Sequence, residues 1–343
     1  MSAATMTAQA APEFRAAGTD LSERRRSGVS KGPLVDIATG GDTSITWAAD
    51  GAATIGAFAT IAAIAADTGI KNAYPGVSAS AQGLATPQIR HLATLGGNLA
   101  QRSRCWYFRK PHIDCLKKGG SNCPARSGNH LYGVAFDLGP CVAPHPSTMA
   151  AALLAYEARI VTDRRSGLSV RELLGDGSNG RADHALGSSE MIKQIVLGIP
   201  LSGERAVYKR AISRTHAEWP LVELCARAVV ADGIFKFVRL GAGGIAPVPL
   251  RLQAAEAALE GKRADAATIA EAARQSTAGA KPLPMTGYKL DLLRSCSRSR
   301  GVATRSHLRG NYSSRPLARP VRSGRKSSRI SAAKASGCSI AAK

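Results

Sequence analysis

The chain reads as an α+β protein of two folded units followed by a basic tail. Three observations predict this. Short β-branched runs alternate with alanine-rich, helix-spaced runs from Phe14 to Leu293, and a polar Ser202-Gly203-Glu204 break divides that span. Beyond Leu293 both the periodicity and the acids stop. At 343 residues and 44% apolar composition the chain is long enough to bury real cores.

The net charge of +22 is unevenly placed. Residues 294–343 hold thirteen Lys and Arg and no acid, which leaves the body at +9. A tail of Ser, Arg and Gly with few apolar residues is expected to be disordered. Its charge suits non-specific contact with nucleic-acid phosphates, although Tyr312 is its only aromatic residue. The abrupt loss of acids also fits an altered reading frame. No apolar run approaches the ~18 residues of a membrane span. Met1 to Pro12 lacks the charged and apolar regions of a signal peptide, and Arg24-Arg25-Arg26 is followed by polar residues and glycine, against a twin-arginine signal.

In order, Phe14 to Leu21 is expected to be a short strand running into a glycine turn at Gly18-Thr19-Asp20, and Leu34-Val35-Asp36-Ile37 a second strand. Ser44 to Trp47 and Ala53 to Ala57 flank Asp50-Gly51, a hairpin signal. Thr60 to Asp67 has helical spacing, Tyr74-Pro75-Gly76 interrupts it, and another helix leads to Thr86-Pro87. The loop Pro144 to Thr148 caps a helix over 149–156. Arg159-Ile160-Val161 and Gln194 to Ile199 are strands. In the second unit Tyr208 to Ala211, Leu221 to Ala231 and Phe235 to Leu240 are strands. Gly241-Ala242-Gly243-Gly244 is expected to be a sheet-edge loop, since Pro247 stands where a dinucleotide motif wants a helix-opening glycine or alanine. Ala254 to Leu259 and Ala266 to Arg274 are helical.

The organising stretch is Thr94-Leu95-Gly96-Gly97-Asn98-Leu99, followed by Arg102, Arg104 and Cys105. Adjacent glycines let consecutive backbone N–H groups converge on a phosphate; they equally make a tight turn between buried segments. Cys105, Cys115, Cys123 and Cys141 have nine, seven and seventeen residues between them. That spacing matches neither paired zinc ligands nor the close ferredoxin pattern. Two readings stand equal: thiolates wrapping an iron–sulfur cluster, with Arg104, Arg109, Lys117 and Lys118 offsetting its charge, or buried free thiols. His112, His130 and His145 are loop or hydrogen-bonding histidines before they are ligands.

Ala17-Gly18-Thr19-Asp20-Leu21, Pro87-Gln88-Ile89-Arg90, Thr94 to Leu99 and His145-Pro146-Ser147 occur in the order seen in flavoprotein subunits of molybdenum hydroxylases, which the chain resembles from Phe14 to Leu293. Leu240 to Pro247 resembles the same family's C-terminal glycine-rich stretch. Arg104-Cys105-Trp106-Tyr107-Phe108-Arg109 and the cysteines resemble the branch with an additional 4Fe–4S cluster. The resemblance implies a two-subdomain, PCMH-type FAD-binding fold over 1–201 with an iron–sulfur excursion at 102–143, a smaller α+β domain over 202–293, and the tail over 294–343.

It further implies that Ala17, Gly18, Thr19, Asp20, Gly96, Gly97 and Asn98 hold the FAD pyrophosphate, that Thr94, His145, Ser147 and Lys209 lie against the cofactor, and that the four cysteines ligate the cluster. The implied partners are a molybdopterin-binding large subunit, a 2Fe–2S small subunit and an external electron acceptor. The implied compartment is the cytoplasm, or the periplasm by co-export with a signal-bearing partner. Ala17, His91 and Thr148 depart from the family's usual glycine, asparagine and acid. Two rival readings are a nucleic-acid-binding protein using the tail and a decayed flavoprotein.

Overall fold

The computed structural model describes residues 11–213 and 218–298. Strand β1 (Glu13–Arg15) pairs in parallel with β2 (Leu34–Asp36), and helix α1 (Leu21–Arg26) lies between them in sequence. The Asp50-Gly51 turn joins β3 (Ile45–Trp47) to β4 (Ala53–Gly56), with Gly51 at φ +85°, as a glycine turn requires.

Helices follow in quick succession: α2 (Ile61–Ala66), α3 (Thr68–Ala73), α4 (Pro75–Gly83), α5 (Pro87–Leu92) and α6 (Leu95–Leu99). Each break is chemical. Thr60, Asp67, Thr86 and Thr94 accept from the N–H three residues on, so each starts a helix. Pro75, expected to interrupt a helix, instead opens α4 at its first position, where a missing N–H costs nothing.

The cysteine excursion contributes only α7 (Trp106–Arg109) and a 3₁₀ turn at Leu116–Lys118. Ser147 caps α8 (Thr148–Ala155), which is buried on almost every face. Then come β5 (Arg159–Thr162), β6 (Leu168–Ser169), α9 (Val170–Leu174) and β7 (Ile192–Leu197). Together β3-β4-β7-β5-β6 make an antiparallel sheet.

The remaining strands, β8 (Glu204–Ala211), β9 (Val222–Ala231), β10 (Ile234–Gly243) and β11 (Leu250–Arg251), form an antiparallel sheet in the order β11-β10-β9-β8. It is followed by α10 (Gln253–Leu259), α11 (Ala266–Gln275) and α12 (Tyr288–Ser297). Here the expectation at Gly241–Gly243 is corrected. These residues end β10 rather than forming a loop, and only Gly244, at φ +74°, leaves the strand. A side chain at Gly241 would collide with the Ala151 carbonyl of α8, and one at Gly243 with the Glu223 carboxyl. Glycine serves close packing there.

Among the described residues two apolar cores are present. One gathers Ile55, Ile61, Ile64, Leu95, Met149 and Leu153, all fully buried, beneath the first sheet. Burying each such side chain contributes roughly 1.5–3 kcal/mol. The other packs Val222, Phe235, Val238, Ile245 and Leu293 between the second sheet and its helices. Helix α12 runs through Ser297 and Arg298 caps it, so residues 294–298 belong to the fold rather than the tail; the expected tail from 299 on lies outside the described residues.

Candidate functional site

Two cavities meet over α6. The larger, about 400 Å³, lies between the β1–α1 turn, α6 and the 184–192 segment. The smaller, about 260 Å³, lies between α5, α6, Thr148 of α8 and residues 218–220. Thr19, Asp20, Gly97 and Gln101 line both, at the neck where the two adjoin.

Ala17, Gly18, Thr19 and Asp20 line the larger cavity. Gly18 has φ +73°, which glycine tolerates at no steric cost, whereas Ala17 does not take a positive φ. Alanine in that place is therefore no backbone strain. From Ala17 to Leu21 no backbone N–H has a protein partner among the described residues. These are free donors along the larger cavity at the start of α1, with Thr19 and Asp20 at the neck.

The glycine pair behaves otherwise. Gly96 and Gly97 are the first turn of α6, not a loop, and their N–H groups are taken: Gly96 donates to the Ala57 carbonyl at 2.8 Å and Gly97 to Thr94 Oγ1 at 3.2 Å. The expected convergence of their N–H groups on a phosphate is corrected accordingly. What they supply is room. A Cβ on Gly96 would lie 3.0 Å from Ala57 Cβ, and one on Gly97 would meet only the Thr94 hydroxyl, at 2.9 Å. Gly97 puts no side chain at the neck.

Asn98 is buried and lines the smaller cavity; its Oδ1 accepts from Ser147 Oγ at 2.7 Å and from the Met149 N–H at 3.4 Å, clamping α6 to the start of α8. Ser147 and His145 line neither cavity. His145 is buried; Nδ1 accepts from the Ser147 N–H, Nε2 has no partner, and burial holds the imidazole down at about 4. Lys209 lines neither cavity either. Strand alternation puts it on the far face of β8, while Tyr208 and Arg210 face inward and Arg210 lines the smaller cavity.

Two residues of the site, Arg210 and Asp183, are not singled out by the motifs of the sequence. Arg210 donates to the Gly83 and Glu218 carbonyls and keeps Nε without a partner. Arg104, across the smaller cavity, also has an unpartnered Nε; its guanidinium lies 4.4 Å from the Trp219 ring centroid, and burial lowers it to about 10. Asp183 is the other omission. It accepts from Arg102 Nε at 2.5 Å and lies 2.8 Å from Lys117 Nζ, joining the larger cavity to the cysteine excursion. The period-2 pattern of β8 was the available signal for Arg210; nothing local marks Asp183.

Asp20 is the electrostatic centre of the neck. Burial opposes its ionisation, but Arg104 at 3.1 Å and Arg109 at 2.7 Å outweigh burial and hold the carboxyl below its ordinary value. It also accepts from Arg24 Nε and from the Arg102 N–H, both at 3.1 Å. Thr148 donates instead to Glu223, at 2.8 Å, and His91 is exposed on α5.

Cys105, Cys115, Cys123 and Cys141 line one small hollow of about 10 Å³ with Leu116, Phe108 and Ala143. The neighbouring Cys123 and Cys141 thiols act on each other: the pairing draws Cys123 down to about 5 and, together with burial, pushes Cys141 up. No group of three or more His, Cys, Asp or Glu among the described residues is arranged to hold a metal ion. His130 is engaged with the Ala125 and Gly128 carbonyls and the Met285 N–H, as a loop histidine.

Comparison with known proteins agrees with this architecture. Residues 3–201 match the FAD binding domain in molybdopterin dehydrogenase, and residues 206–298 match the CO dehydrogenase flavoprotein C-terminal domain. The aldehyde oxidoreductase FAD-binding subunit PaoB of Escherichia coli is 31% identical over 266 residues, which span 75% of this chain and 82% of that subunit. Among solved structures, quinoline 2-oxidoreductase from Pseudomonas putida is similar with a TM-score of 0.64 and 18% identity over 85% of this chain and 88% of that one. A reconstituted CO dehydrogenase from Oligotropha carboxidovorans is similar with a TM-score of 0.66 and 17% identity over 86% and 91%. No helix among the described residues is long and apolar enough to cross a membrane. The chain belongs to the FAD-binding medium subunits of the molybdenum hydroxylases, the aldehyde oxidoreductase and CO dehydrogenase type of oxidoreductase.

Proposed function

We propose that this chain carries FAD and a 4Fe–4S cluster within a complex of the aldehyde oxidoreductase type, alongside a molybdopterin-binding large subunit and a 2Fe–2S small subunit. FAD supplies two-electron redox chemistry, accepting electrons from iron–sulfur centres and passing them to an external acceptor. The two adjoining cavities with shared walls carry the assignment, because a dinucleotide spans two chambers with donors between them.

The free N–H groups of Ala17 to Leu21, at the start of α1, hold the phosphates. Thr94 and Asn98 shape the neck from behind, and Gly97 puts no side chain there. Arg104, Arg210 and Trp219 line the flavin chamber; the two unpartnered Nε–H groups suit the acceptors on the ring's edge. His145 and Ser147 act through α8 rather than by contact, and Lys209 has no part.

The cysteine set fits a cluster in its chemistry: four thiols on one apolar hollow, with Lys117 close by at the same hollow. As it stands the hollow has room for about one water. A four-iron cube spreads its ligands wider than a single ion does, so inserting it opens the excursion. The test is an absorption spectrum of anaerobically purified protein, with released flavin identified and iron counted. Bound FAD and about four irons per chain, the iron lost in Cys115→Ser or Cys123→Ser, is the expected result. Colourless protein, even after co-expression with its partners and supply of FAD and iron, overturns the proposal.

A further inference from the structure

Glu223 stands at the start of β9, 1% exposed, directly behind the smaller cavity. Its Oε2 accepts from Tyr208 Oη at 2.7 Å and from Thr148 Oγ1 at 2.8 Å. It forms no ion pair among the described residues. Arg210, the cation that acts on it, gives its terminal nitrogens to the Gly83 and Glu218 carbonyls. An ionised carboxylate buried without a counter-ion is costly, and such a group keeps its proton instead; burial raises Glu223 above the ordinary carboxyl value.

The surroundings are shaped to keep the acid there. Gly243 of β10 lies against the carboxyl where any side chain would strike Oε1. Tyr208 and Arg210 of β8, Cys225 on its own strand and Cys296 of α12 are the titratable or charged groups around it. The tyrosine and both thiols are themselves pushed up by burial, so none competes for the proton near neutrality. For two hydroxyl donors an amide oxygen would serve equally well. An acid differs from an amide in that it releases a proton.

Thr148 completes the connection. Its hydroxyl touches Glu223, and the residue lines the smaller cavity. A hydroxyl both donates and accepts, so it can pass on one proton while taking another. We propose that Glu223 is the proton reservoir for flavin reduction, passing its proton into the smaller cavity through the Thr148 hydroxyl, a role that rests on the flavin ring occupying that cavity. For every two electrons that would reach a flavin there, one at a time from iron–sulfur centres, Thr148 Oγ would give up one proton to it. Thr148, its hydroxyl turned to accept from Glu223 rather than donate to it, takes the proton from Glu223 Oε2; Glu223 is left as the carboxylate, accepting from Tyr208 and once more from Thr148. When the electrons leave for the acceptor the proton returns by the same path. Glu223 therefore acts through Thr148, not by contact.

The test uses the holo-complex of the full chain. Flavin reduction by dithionite is followed by stopped flow across a pH series, and a reduced-minus-oxidised infrared difference spectrum is recorded. Glu223→Gln keeps both hydroxyl bonds and binds FAD, yet slows reduction roughly a hundredfold above neutrality, the scale of a lost general acid. It also abolishes the infrared carbonyl change of a protonated carboxyl. Thr148→Val slows reduction similarly with Glu223 intact, and Thr148→Ser restores it. Bound FAD that is reduced at the wild-type rate in both Glu223→Gln and Thr148→Val overturns this proposal alone. Wild-type protein that binds no FAD overturns the assignment of the cavities as well.

Discussion

Asp183→Asn is the sharpest test of how the site is held together. The carboxyl is buried, with 4% of its side chain exposed, and lies 2.8 Å from Lys117 Nζ and 2.5 Å from Arg102 Nε. Lys117 is itself only 7% exposed, so it has no water to turn to when the charge beside it is removed; Arg102, at 27%, can rehydrate in part. Removing one partner of a buried pair costs about 3–5 kcal/mol because the other is left uncompensated. With Arg102 relieved by solvent we expect about 3 kcal/mol, more than a hundredfold in the folding equilibrium. The assay is urea unfolding, with Glu271→Gln as control, since that residue pairs with Arg274 on an exposed helix face and its loss costs under ~0.5 kcal/mol. Adding Lys117→Met to Asp183→Asn removes the stranded charge and recovers at least ~1 kcal/mol. The dependence on pH follows in sign. Against the effect of burial, Lys117 and Arg102 hold the Asp183 carboxyl well below its ordinary value. Its stabilisation is thus present above the unfolded carboxyl value and fades as pH falls toward the folded one. An Asp183→Asn protein within ~1 kcal/mol of wild type would refute the buried-hub argument.

Gly97→Ala places a Cβ 2.9 Å from Thr94 Oγ1 and narrows the neck; FAD affinity measured by flavin fluorescence falls about tenfold, while the disturbed cap costs only ~1 kcal/mol of stability. Arg210→Ala weakens FAD binding by roughly ten- to a hundredfold, the worth of a charged hydrogen bond, whereas Lys209→Ala leaves the same isotherm unchanged. His145 is buried neutral with its value lowered from 6.5 to about 4, so the unfolded chain takes up the proton first. Stability read from urea unfolding therefore falls as pH drops through that window, by up to ~1.4 kcal/mol per unit for this group, and His145→Asn removes that share of the slope while the similarly lowered His184 keeps its own. Because each arginine of the larger cavity already has a carboxylate, FAD affinity changes less than about threefold between low and moderate salt; a tenfold loss in the same titration would contradict the pairing.

Local chemistry was legible where one residue decides. Asp50-Gly51 set the hairpin because a positive φ is needed at Gly51, and Ser147 announced α8 because a hydroxyl must satisfy the N–H of Ala150. Gly96-Gly97 misled for the converse reason. Glycine's poor helix propensity argues for a turn, but the Thr94 cap and the close approach of Ala57 hold it helical. The Gly241–Gly243 strand was hidden likewise, since its glycines answer to α8 and Glu223, far away in sequence. Lys209 and Arg210 could be told apart only by the register of β8 on β9, and Asp183 has its partners 66 and 81 residues away.

Net charge was the least informative feature of the chain, for a physical reason. The body's +9 suggests a cleft that holds phosphates by ion pairs. Yet Arg15 is paired with Asp36, Arg24 with Asp20 and Glu13, and Arg102 with Asp183 around the larger cavity. Arg104 and Arg109, which bracket Cys105, are turned onto Asp20 and Glu23. The carboxylates fix these side chains and cancel their field, so the donors left for an anion are the uncharged N–H groups of Ala17 to Leu21. A site held this way binds by dipoles at fixed positions. The same carboxylates reach both the neck and the cysteine excursion, through Asp20 to Arg104 and Arg109 and through Asp183 to Lys117. Opening the hollow between the four thiols is therefore expected to pull, through these pairs, on the neck where the two cavities adjoin.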